Sequence, residues 1–211
     1  MMSDNRQRIG IMGGTFDPIH IGHLVVAEAV RIEYHLEKIL FIPAAEPPHK
    51  QQMQITPAQH RYLMTVMATC SNPHFQVSPI ELERQGPSYT VDTAIALRKI
   101  YGTDTMFYFI TGADAVLELA SWKDIDLLLE LCHFVAVTRP GSVEQLNEVI
   151  HNFGTQGKEH IHRLDIPLLD ISSTDIRERI KDGRSIKYIV PENVENYILK
   201  ERLYQNSAFP I

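Results

Sequence analysis

The 211 residues are 44% hydrophobic and 22% charged, the balance of an ordinary globule long enough to bury one sizeable core. Lys and Arg number 20 against 26 Asp and Glu, a formal net charge of −6. That balance excludes a general cationic field for nucleic acid or an anionic membrane, whereas a small phosphorylated ligand needs only a few local donors.

In chain order, residues 8–12 are a short apolar run ending on Gly13-Gly14, which predicts a buried strand closing on a tight turn. Residues 22–35 repeat apolar side chains at Leu24, Val25, Ala27, Val30 and Ile32, as a packed helix does. Residues 38–43 (KILFIP) predict a second strand stopped by proline. Thr56-Pro57 reads as the cap and first residue of a helix reaching about Cys70. A short strand at 75–79 and a helix at 89–101, ended by Gly102, follow. The most continuous apolar strand is 106–111 (MFYFIT); then come a helix at 122–131 and a strand at 133–138 (HFVAVT). A helix at 143–153, a strand at 161–166 and helices at 172–181 and 191–203 complete the series. The glycines at 154 and 157 suggest a loop over 152–160.

Strands apolar on both faces, alternating with helices, predict an α/β fold: a Rossmann-like doubly wound parallel sheet with helices on both faces. With no internal repeat or linker, 1–211 reads as one domain. No run nears the roughly 20 apolar residues of a membrane helix. The polar start is no secretion signal, and Cys70 and Cys132, far apart, suit a reduced, cytoplasmic chain. Ligands of such sheets bind beyond the carboxyl ends of the strands.

The string 13–23 (GGTFDPIHIGH) lies where such a ligand binds. Gly13 and Gly14 let backbone N–H groups approach a phosphate, and Thr15 adds a hydroxyl. Asp17-Pro18 turns the chain back over the loop. His20 and His23, three apart at a helix start, can share one side with the helix N-terminus. Surrounding negative charge is expected to raise their pKa and favour the protonated form. A second string, 171–177 (ISSTDIR), places Ser172, Ser173 and Thr174 at a helix start, with Arg177 one turn inside.

These strings resemble the T/HxGH and ISSTxIR motifs of the nucleotidyltransferase superfamily. Over nearly the whole chain the sequence resembles the bacterial nicotinate-nucleotide adenylyltransferases, through residues 43–50 (PAAEPPHK), 86–93 (GPSYTVDT), 112–114 (GAD), 120–123 (ASWK) and 139–141 (RPG). The resemblance implies ATP and nicotinate mononucleotide as partners, and catalysis by His20, His23 and Arg177. It implies triphosphate binding by Gly13, Gly14, Thr15, Phe16, Lys50, Ser172, Ser173, Thr174 and Arg177. On the acceptor side it implies Trp122 stacked on the pyridine ring, Thr90 at the nicotinate carboxylate, and Asp114, Lys123 and Arg139 nearby. Mg²⁺ is expected to arrive with ATP, since no carboxylate cluster forms its own cage, and no resident metal site is expected. Phosphopantetheine adenylyltransferase is the nearest alternative, and a non-catalytic nucleotide-binding module is another. The sequence leaves the oligomeric state open, a homo-oligomer included.

Overall fold

A computed structural model describes residues 6–48, 55–138, 144–167 and 169–205. Six strands, β1 (Arg8–Gly14), β2 (Lys38–Pro43), β3 (Phe75–Val77), β4 (Met106–Gly112), β5 (Cys132–Thr138) and β6 (Ile161–Asp165), form one sheet. Its order is β3-β2-β1-β4-β5-β6, with each neighbouring pair parallel. The chain therefore winds outward from β1 to one edge, returns, and winds from β4 to the other. Between β1 and β4 the order reverses, and a crevice opens there at the carboxyl ends.

The helices are α1 (Ile21–Glu33), α2 (Ala58–Thr69), α3 (Thr90–Tyr101), α4 (Ala113–Leu117), α5 (Ile125–Leu131), α6 (Glu144–Asn152), α7 (Gly154–His160), α8 (Ser173–Lys181) and α9 (Glu192–Lys200). Alternate strand residues feed two cores. Met12, Phe41, Ile110 and Val135 pack with Ala27 and Val30 of α1, Met64 of α2, Ile176 of α8 and Ile198 of α9. Ile11, Leu40, Phe109 and Phe134 pack on the other face with Leu97 of α3, Val116 of α4, Leu128 of α5 and Leu146 of α6. Both faces of the sheet are thus dry, which is why its strands read as unbroken apolar runs.

Three departures from the sequence expectations have local causes. The helix expected from residue 122 starts at Ile125, after a 3₁₀ turn at Leu119–Ser121. Trp122 is drawn edge-on against Phe109 and Phe134, with ring centroids 6.0 Å apart in both pairs, and left-handed Asp124 (φ 49°) re-aims the chain. Residues 154–160 are helical rather than a loop. A Cβ on Gly157 would lie 2.2 Å from the Ile150 carbonyl, so that glycine serves a close helix crossing, not mobility. Finally, α2 begins at Ala58 with Pro57 as its cap residue, which frees the Thr56 carbonyl for another donor.

Candidate active site

Three cavities line the carboxyl edge of the sheet. The first, about 360 Å³, has apolar walls from Ile110, Val137, Leu169 and Ile171, with Gly13 and Gly112 at its floor. The second, about 390 Å³, is polar and lined by Thr15, Asp17, Ser172, Ser173, Thr174 and Arg177. His20 and His23 line both. The third, about 160 Å³, lies between Pro48, Ser88, Tyr89, Thr90, Trp122 and Lys123.

The histidines are held by the local fold. Their rings stack 3.7 Å apart, and a Cβ on Gly22 would lie 3.0 Å from His20 Nδ1, so glycine is needed for His20 to lie back over the helix start. The His20 main-chain N–H donates to His23 Nδ1 at 3.2 Å. That nitrogen must therefore be unprotonated, and neutral His23 carries its hydrogen on Nε2. Burial lowers the His20 pKa to about 4, and burial together with the His20 charge holds His23 well below the ordinary histidine value. The expected upward shift is thus corrected for the free protein. Desolvation wins when no anion is present, and both imidazoles are neutral at neutral pH.

The two sequence motifs meet across the chain. Arg177 donates from Nη1 to the Asp17 carbonyl at 2.8 Å, and Ser173 Oγ donates to the Pro18 carbonyl at 2.8 Å. Ser172 Oγ caps α8 by accepting the Asp175 N–H at 3.1 Å, and Thr174 Oγ1 accepts from Arg177 Nη2 at 3.3 Å. Ser173 therefore fastens α8 to the histidine loop, whereas Ser172 and Thr174 accept and keep their hydroxyl hydrogens for another acceptor. Asp17 is buried, its Oδ1 taking Tyr204 Oη–H at 2.7 Å and its Oδ2 the Thr56 N–H at 3.3 Å. Gly14 closes β1, its carbonyl accepting Ala44 N–H at 2.9 Å.

Not every expected residue faces a cavity. The Phe16 side chain, at left-handed φ 49°, is buried in the core edge-on to His23. Asp114 is exposed in the first turn of α4, beyond Gly112, with no place in the cavity walls. Trp122, Thr90 and Lys123 do converge, though the Lys123 ammonium also pairs with Asp92 at 3.2 Å and lies 4.7 Å above the Tyr89 ring. Lys50 and Arg139 lie outside the described residues. Sequence reasoning missed Arg61, 1% exposed on α2, and gave Ser88 of the 86–93 string no role of its own; both bond main-chain groups, most of them distant in sequence.

A parallel sheet with this reversal, a glycine-histidine loop and a hydroxyl-arginine helix converging on one polar cavity define a nucleotidyltransferase, and the cytidylyltransferase-like family model matches residues 11–179. Curated relatives are much closer: a probable nicotinate-nucleotide adenylyltransferase of a Thermoanaerobacter species is 55% identical, over 94% of each chain. One from Moorella thermoacetica is 53% identical, over 94% of this chain and 92% of its own. The chain belongs to the nicotinate-nucleotide adenylyltransferase family. Its fold is similar to that of Plasmodium falciparum nicotinic acid mononucleotide adenylyltransferase complexed with NaAD, with a TM-score of 0.76 at 21% identity, covering 94% of this chain and 97% of that one. Among the described residues no helix is long and apolar enough to cross a membrane.

Proposed function

We propose that this chain joins ATP to nicotinate mononucleotide, giving deamido-NAD and pyrophosphate in NAD biosynthesis. One observation carries the reading: His20 and His23 line both the apolar and the polar cavity. A nucleoside suits the first and a polyphosphate the second. The α-phosphate joins the two and must lie beside the histidines.

The mononucleotide's phosphate oxygen attacks the α-phosphorus in line. A new P–O bond forms there as the bond to the β-phosphate bridging oxygen breaks, and that oxygen takes the electron pair. The nucleophile is already an anion, so no general base is required. Catalysis is positioning and charge stabilisation. His23 donates through Nε2–H and His20 gains charge as the triphosphate arrives. Arg177, with the Ser172 and Thr174 hydroxyls, faces the departing pyrophosphate, and Gly13, Gly14, Thr15 and the Phe16 main chain cradle the phosphates. Lys50 is assigned to the same phosphates.

In the third cavity Trp122, held edge-on by two phenylalanines, offers its indole to the pyridine ring. The N-terminus of α3 at Thr90, which has no side-chain cap bond, turns main-chain N–H groups toward the nicotinate carboxylate. Asp114 suits ribose hydroxyls, and Arg139 the substrate entrance. Among the described residues Asp17 is the one carboxylate lining the polar cavity, and both its oxygens are already bonded. That donor set fits a Mg²⁺ ion held by the triphosphate itself, which neutralises charge on the leaving group. The whole of 1–211 acts as one nucleotidyltransferase domain in the cytoplasm, a compartment that supplies ATP and keeps exposed Cys70 reduced.

The test is pyrophosphate release from ATP with nicotinate mononucleotide, nicotinamide mononucleotide or phosphopantetheine. Fast release with the first is expected. Equal release with both mononucleotides removes the carboxylate assignment, and release with phosphopantetheine alone replaces the acceptor.

A further inference from the structure

Arg61 spends its guanidinium wholly on main-chain carbonyls. Nε donates to Thr56 at 2.8 Å, Nη1 to Thr15 and Ala44 at 2.7 Å each, and Nη2 to Ala45 at 3.2 Å. Desolvation lowers its pKa, with Asp17 opposing, yet a guanidinium stays charged. The four carbonyls belong to three segments: the loop after β1, the loop after β2, and the approach to α2. The β1–β2 ladder ends where Ala44 N–H meets the Gly14 carbonyl. Beyond that bond, the planar fork of Arg61 joins the two loops.

The loops serve different cavities. Thr15 lines the polar one. The second loop is bonded to Ser88 of the aromatic one: Ser88 Oγ accepts the N–H groups of Ala45 at 3.1 Å and Glu46 at 3.3 Å, and Ser88 N–H donates to the Glu46 carbonyl at 2.9 Å. Ser88 in turn stands one residue before Tyr89, the cap residue of α3, whose Thr93 Oγ1 donates to buried Glu81 Oε1 at 2.6 Å. A line of hydrogen bonds thus runs from the phosphate loop through Arg61 to Ser88, and the chain itself carries it two residues further to Thr90 at the start of α3.

We propose that Arg61 is a positioning residue that fixes the separation of the phosphate cavity from the aromatic pocket, and so holds the acceptor phosphate in line with the α-phosphorus. The inference rests on the adenylyl-transfer reading above. Displacement requires the reacting atoms to approach to about 3–3.5 Å, and a misplacement near 1 Å costs about a hundredfold in rate. A guanidinium has the rigidity for this role: its donors lie in one plane, and the Arg61 side chain, itself buried, is bonded to carbonyls on three segments at once. Lysine retains the charge and loses the fork.

The experiment compares full-length wild type with Arg61→Lys and Ser88→Ala. Dissociation constants are measured for a non-hydrolysable ATP analogue with Mg²⁺, for nicotinate mononucleotide, and for deamido-NAD, which joins the nucleotide site beside the histidines to the aromatic pocket through a pyrophosphate bridge. For Arg61→Lys each single-cavity ligand should change by less than about threefold, while deamido-NAD weakens by about thirtyfold or more and kcat falls about a hundredfold with both substrates saturating. Ser88→Ala cuts the same line further on and should show the same pattern at smaller size. The double variant should lose less than the product of the single losses, because both cuts fall on one line. Loss of deamido-NAD affinity no greater than the product of the two single-ligand losses overturns the proposal, as does a fall in kcat fully explained by the folded fraction. If Arg61→Lys does not fold, Ser88→Ala decides by the same criterion. Wild type that binds no deamido-NAD fails the adenylyl-transfer reading itself, a result separable from a wild type that binds it and variants that bind it equally well.

Discussion

The charge state of His20 can be worked through from the structure. In the free protein His20 is 7% exposed, and burial lowers its pKa from 6.5 to about 4. One phosphate charge about 4 Å away contributes about 4 kcal/mol at the effective dielectric of a protein surface. That is worth about 3 pH units, enough to return His20 to about pH 7 when ATP binds. The bound value then lies above the free one, so ATP affinity should rise as pH falls from about 7 towards 4, and level off below. Folding runs the other way. The unfolded chain, with a histidine pKa of 6.5, takes up the proton before the folded one does. Stability from neutral His20 is therefore complete above about pH 6.5 and declines as pH falls towards 4, by about 3 kcal/mol in all. Proton NMR of the imidazole Cε1–H signals, with and without Mg·ATP and assigned with His20→Asn and His23→Asn, reads both values directly. Titration of free His20 near 6.5 refutes the burial argument; a value unmoved by saturating ATP refutes the charge coupling.

Trp122→Ala should raise KM for nicotinate mononucleotide about ten- to a hundredfold and leave KM for ATP unchanged. Trp122 is the only tryptophan, so quenching of protein fluorescence by the mononucleotide measures the same contact in the wild type. Tyr204→Phe removes the hydroxyl at Asp17 Oδ1 and should cost about 2 kcal/mol in urea denaturation; a loss under about 0.5 kcal/mol would show that water replaces the bond. Gly157→Ala sets a methyl against the Ile150 carbonyl and should destabilise by about 1–3 kcal/mol, while kcat stays at the wild-type value because α7 lines none of the three cavities.

What was legible in the sequence was periodic or contiguous. The apolar runs became the six strands because each is buried on two faces, and the strings at 13–23 and 171–177, which meet at one polar cavity, stood out because loop, cap and helix follow one another in the chain. The third cavity was readable through the residues that line it, Thr90, Trp122 and Lys123. Two kinds of feature escaped. Arg61 and Ser88 have no local pattern, since an arginine one turn into a polar helix start looks like any solvated cation, and its partners are carbonyls that every sequence possesses. The titration of His20 and His23 was read with the wrong sign because spacing reveals neighbours but not depth, and depth lowers an imidazole's pKa before any phosphate is bound. Gly154 and Gly157 misled for a related reason: glycine marks both a free backbone and a tightly crossed one, and only the Ile150 carbonyl 2.2 Å from a built Cβ separates the two.

The fastening of the histidine loop has a consequence for the order in which the chain is made. Asp17 and Pro18 emerge early from a ribosome and Thr56 soon follows to bond Asp17, but three more of the groups that bond them, Ser173, Arg177 and Tyr204, lie 155 to 187 residues further on. A nascent chain therefore carries its glycine-histidine segment only partly fastened, by Ala44, Thr56 and Arg61, until residues 173–204 have been made. Local helices can form during synthesis, yet the contacts that complete the loop close far longer stretches of chain than those of Thr56 and Arg61. Complete fastening of the nucleotide loop is therefore acquired late in synthesis, and a product cut before Ser173 has the motif without three of the groups that hold it.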